Sequence, residues 1–118
     1  LRNTLLSTMS EEHINFFKGL ELSFSSENYF FVHAGIDPRK ILEDQTKEDF
    51  LWSRSKSFFD KDFKAEKIIV HGHTPEENII NNLHRINIDT GCYFSGKLSS
   101  VCLSDYDDSR LFINNLLK

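Results

Sequence analysis

Three histidines and one arginine stand where this sequence could do chemistry. His33 follows the apolar run "YFFV" and precedes Ala34-Gly35, while His71 and His73 follow "IIV" and flank Gly72. Each lies where an apolar segment gives way to a small-residue loop, the place where rigid elements hand side chains to a site. Imidazole is a borderline ligand suited to zinc, iron, manganese and related ions, and neighbouring glycines let the backbone come close to an ion. If a strand runs through His71 and His73, period-two alternation puts both on one side; if Gly72 starts a turn, the two part. In the second case one ligates and the other supports. Arg54, in "FLWSRSKSFF", carries a planar fork of donors that matches phosphate oxygens, although many arginines on helical stretches are simply solvated. His13 and His84 fall in polar helix and turn contexts and carry no special reading. Asp105, Asp107 and Asp108 form an acidic cluster without the Gly and distal Glu of a calcium loop, so a solvated hairpin turn is expected there.

Elements must position these residues. In "STMSEEHINFFKGLEL" a Thr8-x-x-Glu11 capping box precedes Ile14, Phe17 and Leu20 at helical spacing, which predicts one amphipathic helix. Leu20, Leu22 and Phe24 then alternate with polar residues, "SSEN" reads as a turn, and "YFFVHAG" returns as an apolar strand ended by Asp37-Pro38. Thr46-x-x-Asp49 is a second cap, before a partly helical stretch holding Phe50, Leu51, Trp52, Phe58 and Phe59. "KIIV", "RINID", "KLSSVCL" and "RLFIN" are strand candidates, separated by "TGCYFSG" and "SDYDDS" as loops. The class is α/β with a β-rich second half. With no internal repeat or linker, residues 1–118 read as part of one domain.

The composition bounds the function classes. With 39% hydrophobic residues, 27% charged and eleven phenylalanines, the chain should pack. A net charge of −4 with scattered Lys and Arg argues against nucleic acid or an anionic membrane as partner. Cys92 and Cys102 are expected to be reduced core residues rather than a disulfide. Apolar runs fall far short of the roughly 20 residues a membrane span needs, and no signal pattern opens the sequence, so a cytoplasmic location is the expectation.

Four stretches in order, "YFFVHAGIDP", "EDFLWSRSKSF", "IIVHGHTP" and "HRINIDTGCYFSGKLSSVCL", cover roughly residues 29–103. They resemble the C-terminal half of the bacterial-type serine/threonine phosphoprotein phosphatases, within the calcineurin-like metallophosphoesterase superfamily. The resemblance implies part of a four-layer αββα sandwich, of which this chain would be the C-terminal portion and carry one sheet. It implies two divalent ions, manganese expected and iron or zinc as alternatives, with His33 and His73 on one of them. Arg54 would hold the phosphate, His71 would support the ligand beside it, and Asp89 and Tyr93 would stand near the rim without an assigned role. The family's Asp-x-His, Gly-Asp-x-x-Asp-Arg-Gly and Gly-Asn-His-Asp/Glu signatures do not occur in the sequence. The chain alone is therefore expected to be inactive or nearly so, with the N-terminal half of the domain or a second copy as partner. The implied activity is phosphomonoester hydrolysis, chiefly of phosphoserine and phosphothreonine in proteins, or of a small phosphoester. "HGHTP" leans that way. The alternatives are a symmetrical dinucleoside polyphosphate hydrolase and a non-catalytic binding module that keeps part of the fold.

Overall fold

The chain opens with two helices, α1 (Arg2–Thr8) and α2 (Glu11–Lys18), where the spacing predicts one. Ser10 caps α2, its hydroxyl accepting from the His13 amide at 3.3 Å, while the Thr8 hydroxyl turns back onto the carbonyls of Thr4 and Leu5. An oxygen two residues closer to the helix outcompetes the expected box, and a back-bonded Thr has none to offer. Phe16, Phe17 and Leu20 stay exposed, so this segment buries no stripe.

The computed structural model describes residues 2–116. After α2 come β1 (Ser23–Ser25) and β2 (Tyr29–Val32), then a crossover carrying α3 (Lys47–Trp52) and α4 (Lys56–Phe59), then β3 (Ile68–His71), β4 (Ile80–Asn81) and β5 (Arg85–Asn87). These strands form one sheet in the order β1-β2-β3-β5-β4. The inner strands β2, β3 and β5 are parallel, and β1 and β4 pair antiparallel at the edges. The Thr46–Asp49 box caps α3 as expected, each side chain satisfying the other's backbone amide.

Period two divides the sheet into two apolar faces. Phe30, Val32 and Ile69 pack with Ile36, Phe50, Phe58 and Phe63 from the crossover. Tyr29, Val70 and Ile86 face the other way, where Val101, Leu103 and Phe112 cover them. Those come from a second sheet, β6 (Lys97–Leu103) paired antiparallel with β7 (Arg110–Leu116). The expectation of one sheet is thus corrected to a five-stranded sheet and a two-stranded one. Alternation in "KLSSVCL" leaves Ser99, Val101 and Leu103 half-buried and Leu98, Ser100 and Cys102 exposed, and the apolar side finds its cover on the larger sheet. The result is an α/β arrangement of a helical layer, a sheet and a second sheet, compatible with part of the four-layer sandwich.

Three local readings change. Cys92 opens a short helix, α5 (Cys92–Ser95), bounded by Gly91 and Gly96 in left-handed conformations. Both thiols are free, but Cys92 is half-buried and Cys102 exposed, so neither belongs to the core. Asp105 is no solvated bystander: its carboxylate accepts from the Ser26 hydroxyl at 3.1 Å and the Asn28 amide at 2.9 Å, pinning the β6–β7 turn to the start of β2. Among the described residues no helix is long and apolar enough to cross a membrane.

Candidate metal and phosphate site

Parallel neighbours end at one edge. His33 follows β2 directly, His71 closes β3 with His73 two residues on, and Asp89 lies two residues past β5. The crevice beyond the carboxyl ends of such strands is where open α/β sheets bind ligands. Gly72 knots the loops together: its amide donates to the His33 carbonyl at 2.9 Å, and its carbonyl accepts from the Thr74 amide at 2.8 Å and from His71 Nδ1 at 2.9 Å. Gly35 is required for a different reason. At φ +142° it leaves room for Phe58, whose ring would lie 2.4 Å from an added Cβ.

Of the two arrangements left open for His71 and His73, the structure takes the one in which Gly72 separates them. His73 adopts φ +68°, a left-handed conformation uncommon outside glycine, and this turns its ring toward His33. His33 Nε2 and His73 Nδ1 lie 3.0 Å apart, the rings edge to face with centroids at 4.8 Å. His73 Nε2 is buried without a partner. Two nitrogens each about 2.1 Å from one ion, at roughly right angles, stand about 3.0 Å apart. Donor type and spacing therefore fit two neighbouring ligands of a single octahedral transition-metal ion, whereas tetrahedral zinc would set them about 3.4 Å apart. They do not make a complete shell: among the described residues no group of three or more His, Cys, Asp or Glu side chains could hold an ion. Burial holds the His73 pKa below its ordinary value, helped by the charges of His33 and Arg54 and opposed by Asp89, so the ring stays available as a neutral donor.

His71 points away from that pair, into the core on the helical side, where its ring centroid is 4.9 Å from that of Phe58. Burial pushes its pKa down to about 4, and the Arg85 charge adds to the shift. Asp89 borders an inter-sheet cavity of about 360 Å³ with His33, Gly72 and Cys92. Its Oδ1 accepts from the Gly91 amide at 2.9 Å, and its carbonyl accepts from the Glu76 amide at 3.0 Å. Tyr93 stands outside, 87% exposed.

Arg54 lies between α3 and α4, exposed, in a groove of about 490 Å³ shared with Asp37, Arg39, Trp52 and Lys56. The Trp52 ring meets His73 edge-on at 5.4 Å, which puts this groove beside the histidine pair. Asp37 holds Arg39 at 2.7 Å and Asp49 holds Lys40 at 2.6 Å. Among the described residues no carboxylate pairs with Arg54, and its fork faces solvent. The structure thus brings His33 and His73 together, sets Arg54 nearby, and places His71 behind the loop that carries His73. Sequence reasoning passed over Trp52 as a neighbour of the site. Its position two residues before Arg54 was the available signal.

No family model matches the chain. It is 34% identical over 96 residues to an asymmetrical bis(5'-nucleosyl)-tetraphosphatase PrpE of Oceanobacillus iheyensis, an alignment covering 69% of this chain and 38% of that protein. Proteins of the same name from Bacillus mycoides and Anoxybacillus flavithermus are 49% and 44% identical over 43 residues, covering 35% of the chain and 17% of each. The chain spans little more than a third of the length of the Oceanobacillus iheyensis relative. These similarities support the calcineurin-like metallophosphoesterase superfamily and lend nothing to the phosphoprotein phosphatase subtype.

Proposed function

We propose that this chain supplies part of a metal-dependent phosphoester hydrolase site, and that the substrate is a dinucleoside polyphosphate cut asymmetrically. The facing pair His33 and His73, 3.0 Å apart at the carboxyl edge of the parallel strands, carries the proposal. The relatives' name supports the substrate class, which the sequence offered as an alternative to phosphoprotein, and its word "asymmetrical" favours asymmetric over the symmetrical cleavage named in that alternative. His33 and His73 would hold one of two divalent ions, manganese first with iron or zinc as alternatives. When bound, such ions polarise the phosphoryl group and lower the pKa of the water they share. Arg54 would take phosphoryl oxygens through its fork, stabilising the charge they gain in the transition state. His71 would act only through the backbone beside His73. The remaining ligands must come from outside this set of residues, from an N-terminal half of the domain or from another copy.

Phosphoserine and phosphothreonine in proteins form the second reading, favoured by the motif resemblance and by the exposure of His33 and Arg54 on an open edge. Manganese-dependent hydrolysis of bis(5'-adenosyl)-tetraphosphate, a phosphopeptide and an aryl phosphate separates the readings. It should be run on the chain alone and on the full reading frame that encodes it, with His73→Ala and Arg54→Ala beside each. Asymmetric cleavage gives a monophosphate and a triphosphate, whereas symmetric cleavage gives two diphosphates. Dinucleotide turnover that disappears with His73→Ala supports the proposal, and preference for the phosphopeptide overturns its substrate. A folded full-length protein that turns over none of them returns the chain to the binding-module reading. The chain alone is expected to be inactive.

A further inference from the structure

Behind His73 a buried relay runs through a residue with no role so far. Arg85 opens β5 and is 5% exposed, its guanidinium carbon 5.7 Å and 5.3 Å from the ring centroids of Phe58 and Phe59. Its Nη1 lies 3.2 Å from His71 Nε2, and among the described residues this is its one side-chain hydrogen bond. Its Nε is buried without a partner. Arginine has donors only and keeps its proton, so the imidazole nitrogen facing it must be the acceptor. At the other side of the ring Nδ1 lies 2.9 Å from the Gly72 carbonyl, which can only accept. Both neighbours demand the same tautomer, with the proton on Nδ1. The Gly72 carbonyl held in this way precedes the left-handed His73, and the Gly72 amide holds the loop of His33.

We infer that Arg85 is a positioning residue: it fixes His71 as the Nδ1–H tautomer and thereby, through the Gly72 carbonyl, sets His73 opposite His33. Arg85 touches neither the histidine pair nor the groove of Arg54. Its effect on metal affinity rests on the proposed reading of His33 and His73 as ligands, but its effect on the tautomer does not. Residues that support a ligand from behind typically change metal affinity by about 10–100-fold when removed.

The test uses the ¹⁵N-labelled chain as wild type, Arg85→Met and Arg85→Lys. Histidine tautomers are read from long-range ¹H–¹⁵N correlations, and zinc chloride is titrated calorimetrically. The wild type should show His71 protonated on Nδ1. Arg85→Met leaves the Gly72 carbonyl as the one group that holds the tautomer, so the Nε2–H form should gain a measurable share, and zinc binding should weaken about tenfold. Arg85→Lys, which restores a donor, should return both toward wild type. A wild-type His71 protonated on Nε2 overturns the inference without any variant having to fold. Retention of the Nδ1–H tautomer and full zinc affinity in Arg85→Met overturns it as well. Absence of zinc binding in the wild type is what a half-formed shell would give, and the tautomer arm then decides the relay by itself.

Discussion

His73 sits at φ +68°, and this one angle makes a stability prediction that needs no knowledge of substrate. A non-glycine residue in the left-handed region costs about 1–2 kcal/mol because its Cβ crowds the following carbonyl. Replacing His73 by Ala keeps that Cβ, whereas replacing it by Gly removes it. Both lose the ring and its contacts with His33 and Trp52, so these cancel between the two variants. Against the relief, glycine gives the unfolded chain about 0.5–1 kcal/mol of extra freedom. The balance leaves His73→Gly more stable than His73→Ala by about 0.5–1 kcal/mol, the reverse of the usual order. For a domain near 100 residues that is a melting difference of about 2–4 °C. Urea and thermal unfolding of both variants, in chelator so that no ion contributes, would measure it. His73→Ala equal to or more stable than His73→Gly would refute the left-handed backbone and, with it, the account of how the loop aims its ring.

Phe58 is fully buried against Phe63, His71 and Arg85, so Phe58→Ala should cost about 3–5 kcal/mol in urea unfolding. Gly35→Ala should strain the same packing from the other side, since its Cβ would fall 2.4 Å from the Phe58 ring. Asp37 is held by the Arg39 side chain and amide, which lower its pKa from 3.8 to about 2. A depressed folded pKa gives stability that is present above the unfolded value and lost as pH falls through about 4 toward about 2, and Asp37→Asn should flatten that slope in pH-dependent unfolding. Leu98, Leu111 and Ile113 lie exposed on the outer side of the β6–β7 hairpin. Leu98→Lys combined with Ile113→Lys should lower self-association in sedimentation runs without loss of unfolding cooperativity.

The parts legible in the sequence are those in which local chemistry and tertiary placement agree. The Thr46–Asp49 box was readable because both partners lie within one helical turn and nothing nearer competes. The Thr8–Glu11 box has the same pattern and fails because Ser10 offers a closer oxygen, a contest that pattern alone does not display. β4 is two residues long and α5 four, too short for any period to register. His33 and His73 were legible as a pair by resemblance, but the turn that joins them depends on a φ that no histidine announces. The contact between Arg85 and His71 was invisible for a plainer reason: it follows from the β3–β5 register, which brings together residues on separate strands.

The Asp105 anchor has a consequence for the order in which the molecule assembles. The β6–β7 hairpin closes across a short turn, Leu103 against Arg110, and hairpins of this kind form in microseconds. The parallel pairs are different: Tyr29 has to find Ile68 across the whole crossover, and such non-local pairing is intrinsically slow. Asp105 sits in the turn of the quick element and grips Ser26 and Asn28 at the threshold of the slow one. A turn that reads as inert acidic surface is thus expected to be the point at which an early, local piece of the chain meets a late, distant one, and Asp105→Ala should then slow refolding measured by stopped flow.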